Sequence, residues 1–247
     1  MNSRTDNVQS HYDTFLARHY IWMAGGFEKN IRRNKEFFVS HGVTPSGTRV
    51  AVDLGAGCGF QTLALASAGF DVVAVDFCRP LLDILALNTN DRPVRIIPSD
   101  ILAFSAWANL SPELIVCMGD PLTHLPAISA VRGLIRQGAG ELECGGRIIL
   151  SWRDYTGTPA GSSEVIPVRR DNERIFLCRL EYEDEQVRVT DILYSQESGS
   201  WERDASSYTK LRISRDTVTA MLAAEDLAVV WSELHEGVNT MIAAKTR

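Results

Sequence analysis

An α/β fold built on a parallel sheet is predicted by three features of this sequence. From residue 49 to residue 154, short stretches rich in Val and Ile alternate with stretches of helical spacing. The strand-like stretches show almost no polar alternation, as expected when both faces of a sheet are covered. The first of them, in AVDLGAGCGF, breaks into Gly55, Gly57 and Gly59. Such a turn is either merely tight, or it lets a ligand lie against bare backbone.

Taken in order, residues 10 to 40 read as two helices. In HYDTFLARHYIWMAG the residues Phe15, Leu16, His19, Tyr20 and Met23 recur at helical spacing. Gly25 and Gly26 interrupt the pattern, and FEKNIRRNKEFFVSHG resumes it up to Gly42, with Pro45 beyond as a stop signal. We read residues 8–42 as an N-terminal helical lid. RVAVDLG, DVVAVDF, VRIIPSD, ELIVCMGD and GGRIILSWRD are the strands of the sheet. QTLALASAG, PLLDILALN and AVRGLIRQ are helices between them, with a short helical piece at ILAFSAW. After Asp154 the rhythm changes. TGTPAGSS is a loop, RIFLCRLEYEDEQVRVTDILYSQ alternates as β structure with EDEQ at a hairpin tip, and SSYTKLRIS is a third strand. Residues 165–212 form an antiparallel β insert laid over the open sheet. A helix at SRDTVTAMLAAED and two final strands, LAVVWSEL and TMIAAKT, complete one domain spanning 1–247.

Composition narrows the function. Of the 247 residues, 45% are hydrophobic, enough for a sizeable core, and the net charge of −6 argues against nucleic acid as a partner. The five cysteines, Cys58, Cys78, Cys117, Cys144 and Cys178, are scattered and form no C-x-x-C pair. That usage fits reduced thiols and a cytoplasmic location. The start, MNSRTDNVQSHYD, has no apolar signal core, and no apolar run approaches the roughly 18 residues of a membrane span.

The glycine spacing separates two ligand classes. The dinucleotide fingerprint is G-x-G-x-x-G, whereas here the third glycine comes one residue early. The second strand ends at Asp76, where ribose-binding acids sit in such folds, and the third at Ser99 and Asp100. Alone, Asp76 or Asp100 could equally be a helix cap. Taken together, AVDLGAGCGF, VVAVDF, PSDI and LIVCMGD resemble, in order and spacing, the class I S-adenosylmethionine-dependent methyltransferases. The resemblance covers residues 45–155 and the last two strands. It implies a doubly wound, Rossmann-like sheet of seven mostly parallel strands closed by an antiparallel hairpin, with S-adenosylmethionine as cofactor. Asp53 and Gly55, Ala56, Gly57 and Gly59 would cradle the methionine half. Asp76 would accept the ribose hydroxyls, with Phe77 beside the adenine. Asp100 and Ile101 would hold the base, and the backbone near Met118 and Gly119 would face the sulfonium. A nicotinamide enzyme is the distant second reading.

The fourth strand leads into CMGDPLTHL. Asp120-Pro121 matches poorly the motif of amino-directed nucleic-acid methyltransferases, because the second proline and the aromatic are missing. The stretch is closer to C-x-G-[ND]-x-x-x-H-L of glycine and sarcosine N-methyltransferase-like enzymes, and SWRDYT is similar to their H-R-N-Y-D. That similarity implies a carboxylate-binding role for Arg153, which a guanidinium fork suits. The chain departs from the pattern at Trp152, Asp154 and Thr156, and at Asp120 in place of asparagine. Arg153 either meets substrate or pairs internally with Asp154 or Glu113. Asp120 is a candidate catalytic acid or a turn residue, and His124 a candidate base or a helix cap. Tyr155 joins Arg153 as a candidate substrate contact. In the aromatic block HYDTFLARHYIWMAGGF most rings belong to the core. Tyr12 is the candidate for the substrate, and Tyr20 and Trp22 for the cofactor.

The expected function is therefore methyl transfer from S-adenosylmethionine to a small molecule, an amine or amino-acid-like compound, by in-line displacement. The activated sulfonium requires no metal. Two alternatives stand beside it: an O-methyltransferase of a small metabolite, and a non-catalytic S-adenosylmethionine-binding sensor or partner subunit. A pocket left open between Asp120, Arg153 and the lid would favour an enzyme, and one filled by the insert would favour the binder. The insert also offers an exposed edge for pairing two copies as a homodimer.

Overall fold

The computed structural model describes residues 4–197 and 199–246; positions 1–3, 198 and 247 of the 1–247 reading lie outside the described residues. In chain order the strands are β1 (Val50–Leu54), β2 (Asp71–Asp76), β3 (Val94–Pro98), β4 (Leu114–Cys117) and β5 (Arg147–Arg153). Next come β6 (Ser163–Arg170), β7 (Arg174–Tyr182), β8 (Gln186–Glu197) and β9 (Ser200–Leu211), then β10 (Leu227–His235) and β11 (Val238–Lys245). The helices are α1 (Arg4–His11), α2 (Tyr20–Met23), α3 (Phe27–Ser40), α4 (Phe60–Ser67), α5 (Arg79–Asn88), α6 (Pro121–His124), α7 (Ile128–Glu141) and α8 (Arg215–Ala223).

Seven strands form the main sheet in the order β10-β11-β5-β4-β1-β2-β3. Strands β1 to β5 are parallel, and β11 runs antiparallel to both β5 and β10. The chain moves outward from β1 to β3, then crosses back to β4 on the other side of β1. That reversal leaves a crevice beyond the carboxyl ends of β1 and β4. The apolar run of β1 exists because it is covered twice. Val52 and Leu54 face a layer with Val131, Leu134 and Ile135 of α7, while Ala51 faces Phe38 of α3 and Leu65 of α4. Each Val or Leu so buried contributes about 1.5–3 kcal/mol.

The N-terminal segment differs from the expected pair of helices. Helix α1 runs into a π-helical turn at Tyr12–Leu16, where Ala17 N–H reaches Tyr12 O at 2.9 Å, and α2 is only one turn long. Tertiary packing overrides the regular spacing here, since Phe15 and Leu16 are buried against Phe176 of β7 and Leu193 of β8. Gly25 and Gly26, at φ +91° and +110°, then redirect the chain into α3.

The late insert is a four-stranded antiparallel sheet in the order β6-β7-β8-β9. It has one strand more than the sequence suggested and starts at Ser163, ahead of residue 165. The extra strand carries no clear sequence signal because it is an exposed edge with Pro167, which has no ladder N–H and sits at a register shift. The EDEQ tip joins β7 to β8, with Glu183 N–H donating to Gln186 O at 2.8 Å. Among the described residues no helix is long and apolar enough to cross a membrane.

Candidate active site

A cavity of about 470 Å³ opens at the carboxyl ends of β1, β2, β4 and β5. Gly55, Ala56, Gly57, Asp76, Phe77, Asp100, Ile101 and Met118 line it, as do Tyr12, Tyr20, His124 and Arg153. Twelve candidates scattered from residue 12 to residue 153 thus border one space.

At one end the glycine turn meets Asp76. Gly57 has φ +52°, and a side chain added there would find only Leu81 Cδ1, at 3.7 Å, so its backbone lies open to the cavity. Gly57 N–H donates to Asp76 Oδ2 at 2.8 Å and Cys78 N–H to Asp76 Oδ1 at 2.7 Å. These bonds fix the carboxylate while each oxygen keeps a second lone pair for a ligand. Burial pushes the Asp76 carboxyl up, and the two N–H groups offset part of that rise. Asp100 is anchored in the same style, its Oδ1 accepting Leu102 N–H at 2.9 Å.

Five expected contacts do not reach the cavity wall. Asp53 is fully buried beneath the turn, where its Oδ2 accepts the Thr62 hydroxyl at 2.6 Å and its Oδ1 has no partner among the described residues. Burial pushes its carboxyl up to about 7. Gly59 caps α4 at φ +95°, and a side chain there would run into Leu85 Cδ1, so this glycine serves the packing of α4 on α5. Trp22 packs beside Phe15, Leu16, Phe176 and Leu193, with the Arg174 guanidinium 4.3 Å from its ring centroid. Tyr155 is buried in the cluster of the second sheet with Leu180, Tyr182, Val187 and Tyr208. Asp120 is the fifth. It opens α6 at φ +84°, and both of its oxygens are engaged: Oδ1 by Arg153 N–H at 3.0 Å and Oδ2 by Lys210 Nζ at 2.6 Å. Burial would raise its carboxyl, but the Lys210 ammonium, His124 and the N–H bond from Arg153 together hold it below the usual range.

At this other end His124 and Arg153 face the cavity. His124 Nε2 lies 3.4 Å from the Tyr12 hydroxyl, and its ring stacks on Tyr208 at 5.5 Å. The Arg153 guanidinium donates to Glu236 O at 3.1 Å, lying over the β10–β11 turn where Gly237, at φ +76°, leaves room for it. Neither internal partner considered for Arg153 holds it. Glu113 accepts from Ser46 and Gly47, and Asp154 from Thr156 and Asn239. Among the residues that the sequence does not mark are Arg33 of α3, which lines the cavity, and Tyr208 and Lys210 of β9, which meet His124 and Asp120. The alternation in SSYTKLRIS places Tyr208 and Lys210 on one face. Nothing local says that this face meets α6.

No protein-family profile matches the chain. It is 30% identical over 170 residues to a ubiquinone biosynthesis O-methyltransferase of Xanthomonas axonopodis pv. citri (strain 306), covering 63% of this chain and 68% of that protein. It is 28% identical over 122 residues to a glycine/sarcosine N-methyltransferase of Aphanothece halophytica, covering 49% of this chain and 46% of that one. The chain spans less than half the length of the curated N-methyltransferases it matches. Its fold is similar to the solved structure of the CcbJ methyltransferase from Streptomyces caelestis, with a TM-score of 0.77 and 16% identity over 100% of this chain and 99% of that one.

Proposed function

The chain belongs to the class I S-adenosylmethionine-dependent methyltransferases, and from that premise we propose that it methylates a small molecule, an amine or amino-acid-like compound. The observation that carries this reading is the continuity of the cavity. It runs from the Asp76 and Asp100 carboxylates, past the bare backbone of Gly55 to Gly57, to Met118, His124 and Arg153. The residues fit an adenosyl ligand. Two strand-end carboxylates are pre-set by backbone N–H groups, and Gly55 and Gly57 have positive φ and no side chain of their own to displace.

In this reading Asp76 receives the ribose hydroxyls, Phe77 and Ile101 flank the adenine, and Asp100 accepts from its amine. Tyr20 and Ala56 close over the methionine half, and Arg33 supplies a cation for its carboxylate. When bound, S-adenosylmethionine supplies a methyl group on an already activated sulfonium. The protein's own task is alignment and exclusion of water, and well-oriented reactants gain roughly 7–11 kcal/mol over a bimolecular encounter. The N-terminal segment, with Tyr12 and Tyr20 on the cavity wall, provides the exclusion. Arg153 orients an acidic group of the acceptor, its guanidinium steadied from behind by the Glu236 carbonyl. His124, beside the Tyr12 hydroxyl, is the group placed to take a proton from the nucleophile.

The second sheet fills the space at Asp120 with Lys210, yet the Arg153 side stays part of the cavity, which favours an enzyme over a mere binder. Calorimetry with S-adenosylhomocysteine is the first test, with micromolar binding expected. No heat and no thermal shift would overturn the reading. Turnover with S-adenosylmethionine against a panel of small amines, amino acids and phenols, with product masses measured, then separates amine from hydroxyl acceptors.

A further inference from the structure

At the acceptor end, one ion pair serves neither the main sheet's core nor the cofactor's contacts. Lys210 Nζ lies 2.6 Å from Asp120 Oδ2, with side chains only 13% and 17% exposed. Desolvating two charges costs more than apolar packing of the same volume, so stability alone is a weak reason for the pair. Its connections are a better one. The same carboxylate accepts Arg153 N–H at the end of β5 and opens α6, whose last residue is His124. Pro121, the first residue of α6, lies so close to Gly55 that a side chain there would meet its Cγ at 2.5 Å. Asp120 is thus the node between β5, α6 and the glycine turn, and Lys210 ties that node to β9. A second brace lies two residues away on β9. The Tyr208 ring stacks on His11 of α1 at 4.2 Å and on His124 at 5.5 Å.

We propose that Lys210 is a positioning residue for methyl transfer: by occupying Asp120 Oδ2 it fixes the α6 turn and the Arg153 backbone, and so the spacing between His124 and Arg153. The proposal rests on the methyltransferase reading above. It also takes Asp120 out of proton transfer and leaves that task to His124. The tyrosines around the ammonium suit the same role, with the Tyr208 and Tyr155 ring centroids 5.7 and 5.9 Å from Nζ.

The test uses the full chain as Lys210→Met, Lys210→Arg and the double variant Lys210→Met/Asp120→Asn. The double variant leaves no unpaired charge and keeps the test alive if the single Met variant fails to fold. Three readouts are taken: S-adenosylhomocysteine affinity, amide hydrogen exchange at Arg153, and steady-state methylation of the panel compound the native chain turns over fastest. In the Met variants S-adenosylhomocysteine affinity stays within about threefold, while Arg153 exchanges about tenfold faster as its acceptor loosens. Turnover falls about tenfold with the KM for S-adenosylmethionine unchanged, the pattern of a lost transition-state alignment. Lys210→Arg restores both exchange and turnover. Native exchange at Arg153 or native turnover in the Met variants, or an Arg variant as impaired as Met, overturns the proposal. A native chain that does not bind S-adenosylhomocysteine defeats the methyltransferase reading instead, and the exchange readout still decides whether Lys210 holds the turn.

Discussion

At the glycine-turn end of the cavity Asp76 is held by N–H groups 19 and 2 residues away, whereas at the α6 end Asp120 is held by Arg153, 33 residues on, and Lys210, 90 residues on. The first end closes within two consecutive strand–helix units. The second is complete only when the insert has docked. The two carboxylates also answer burial differently. Asp76 relies on neutral backbone N–H groups and its carboxyl is raised, while Asp120 has an ammonium and its carboxyl is lowered. Neutral donors leave a carboxylate with lone pairs for an incoming ligand. A cation at 2.6 Å converts the other into a structural tie.

The largest expected effect is on the tie. Asp120→Asn leaves Lys210 sheltered and unpaired, and we expect a loss of about 3–5 kcal/mol in urea unfolding, with S-adenosylhomocysteine affinity nearly native. A loss under 1 kcal/mol would remove the contrast between the two ends. Next comes pH. The Asp53 carboxyl is raised to about 7 in the fold, so its contribution is fully present below the ordinary carboxylate range and is lost as pH rises through about 7. Three units at about 1.4 kcal/mol each set an upper limit near 4 kcal/mol, and Asp76, also raised, has the same sign. Asp120, lowered, works the other way: its contribution is present above the ordinary carboxylate value and is lost as acid drives pH below it. Unfolding measured from pH 3 to pH 8 separates the two. Asp53→Asn should flatten the neutral slope and leave the acid limb, and a neutral slope unchanged in that variant would contradict the assignment.

A third effect is on binding alone. Asp76→Ala removes the acceptor for both N–H groups and, in the proposed reading, for the ribose, and S-adenosylhomocysteine affinity should fall by about 2–3 kcal/mol, or 30- to 150-fold. Unchanged calorimetric affinity would reduce Asp76 to a loop anchor. Gly59→Ala sharpens the assignment of this glycine to packing. Strain at φ +95° and the clash with Leu85 should cost about 1–3 kcal/mol in thermal unfolding, against little change in affinity per folded molecule. The smallest effect is expected at Trp22, which lies off the cavity wall: Trp22→Leu should leave S-adenosylhomocysteine affinity within about twofold, by the usual independence of distant sites.

The glycine-turn end is legible because its cavity-lining residues follow strand ends in a fixed order. The turn after β1 and the acids at Asp76 and Asp100 follow from apolar runs and where they stop. Even there, the glycines looked alike in the text, and only packing separates Gly57, open to the cavity, from Gly59, pressed on Leu85. Asp53 looked like a ligand contact for the same reason, since the sequence does not say that β1 carries it beneath the turn. The α6 end is legible only in part. His124 and Arg153 follow β4 and β5 and line the cavity, whereas nothing in the sequence marks Lys210 as the partner of Asp120.

The alternation of Val-rich strands with helices, the glycine turn and the strand-end acids are set by local sequence, because each depends on periodicity and backbone freedom within a few residues. The order of strands in the sheet, the edge strand β6 and the meeting of Lys210 with Asp120 were decided by tertiary structure. A polar side chain on an alternating strand carries no local mark of its partner: which face turns inward, and what it meets there, depends on how the second sheet docks onto the first.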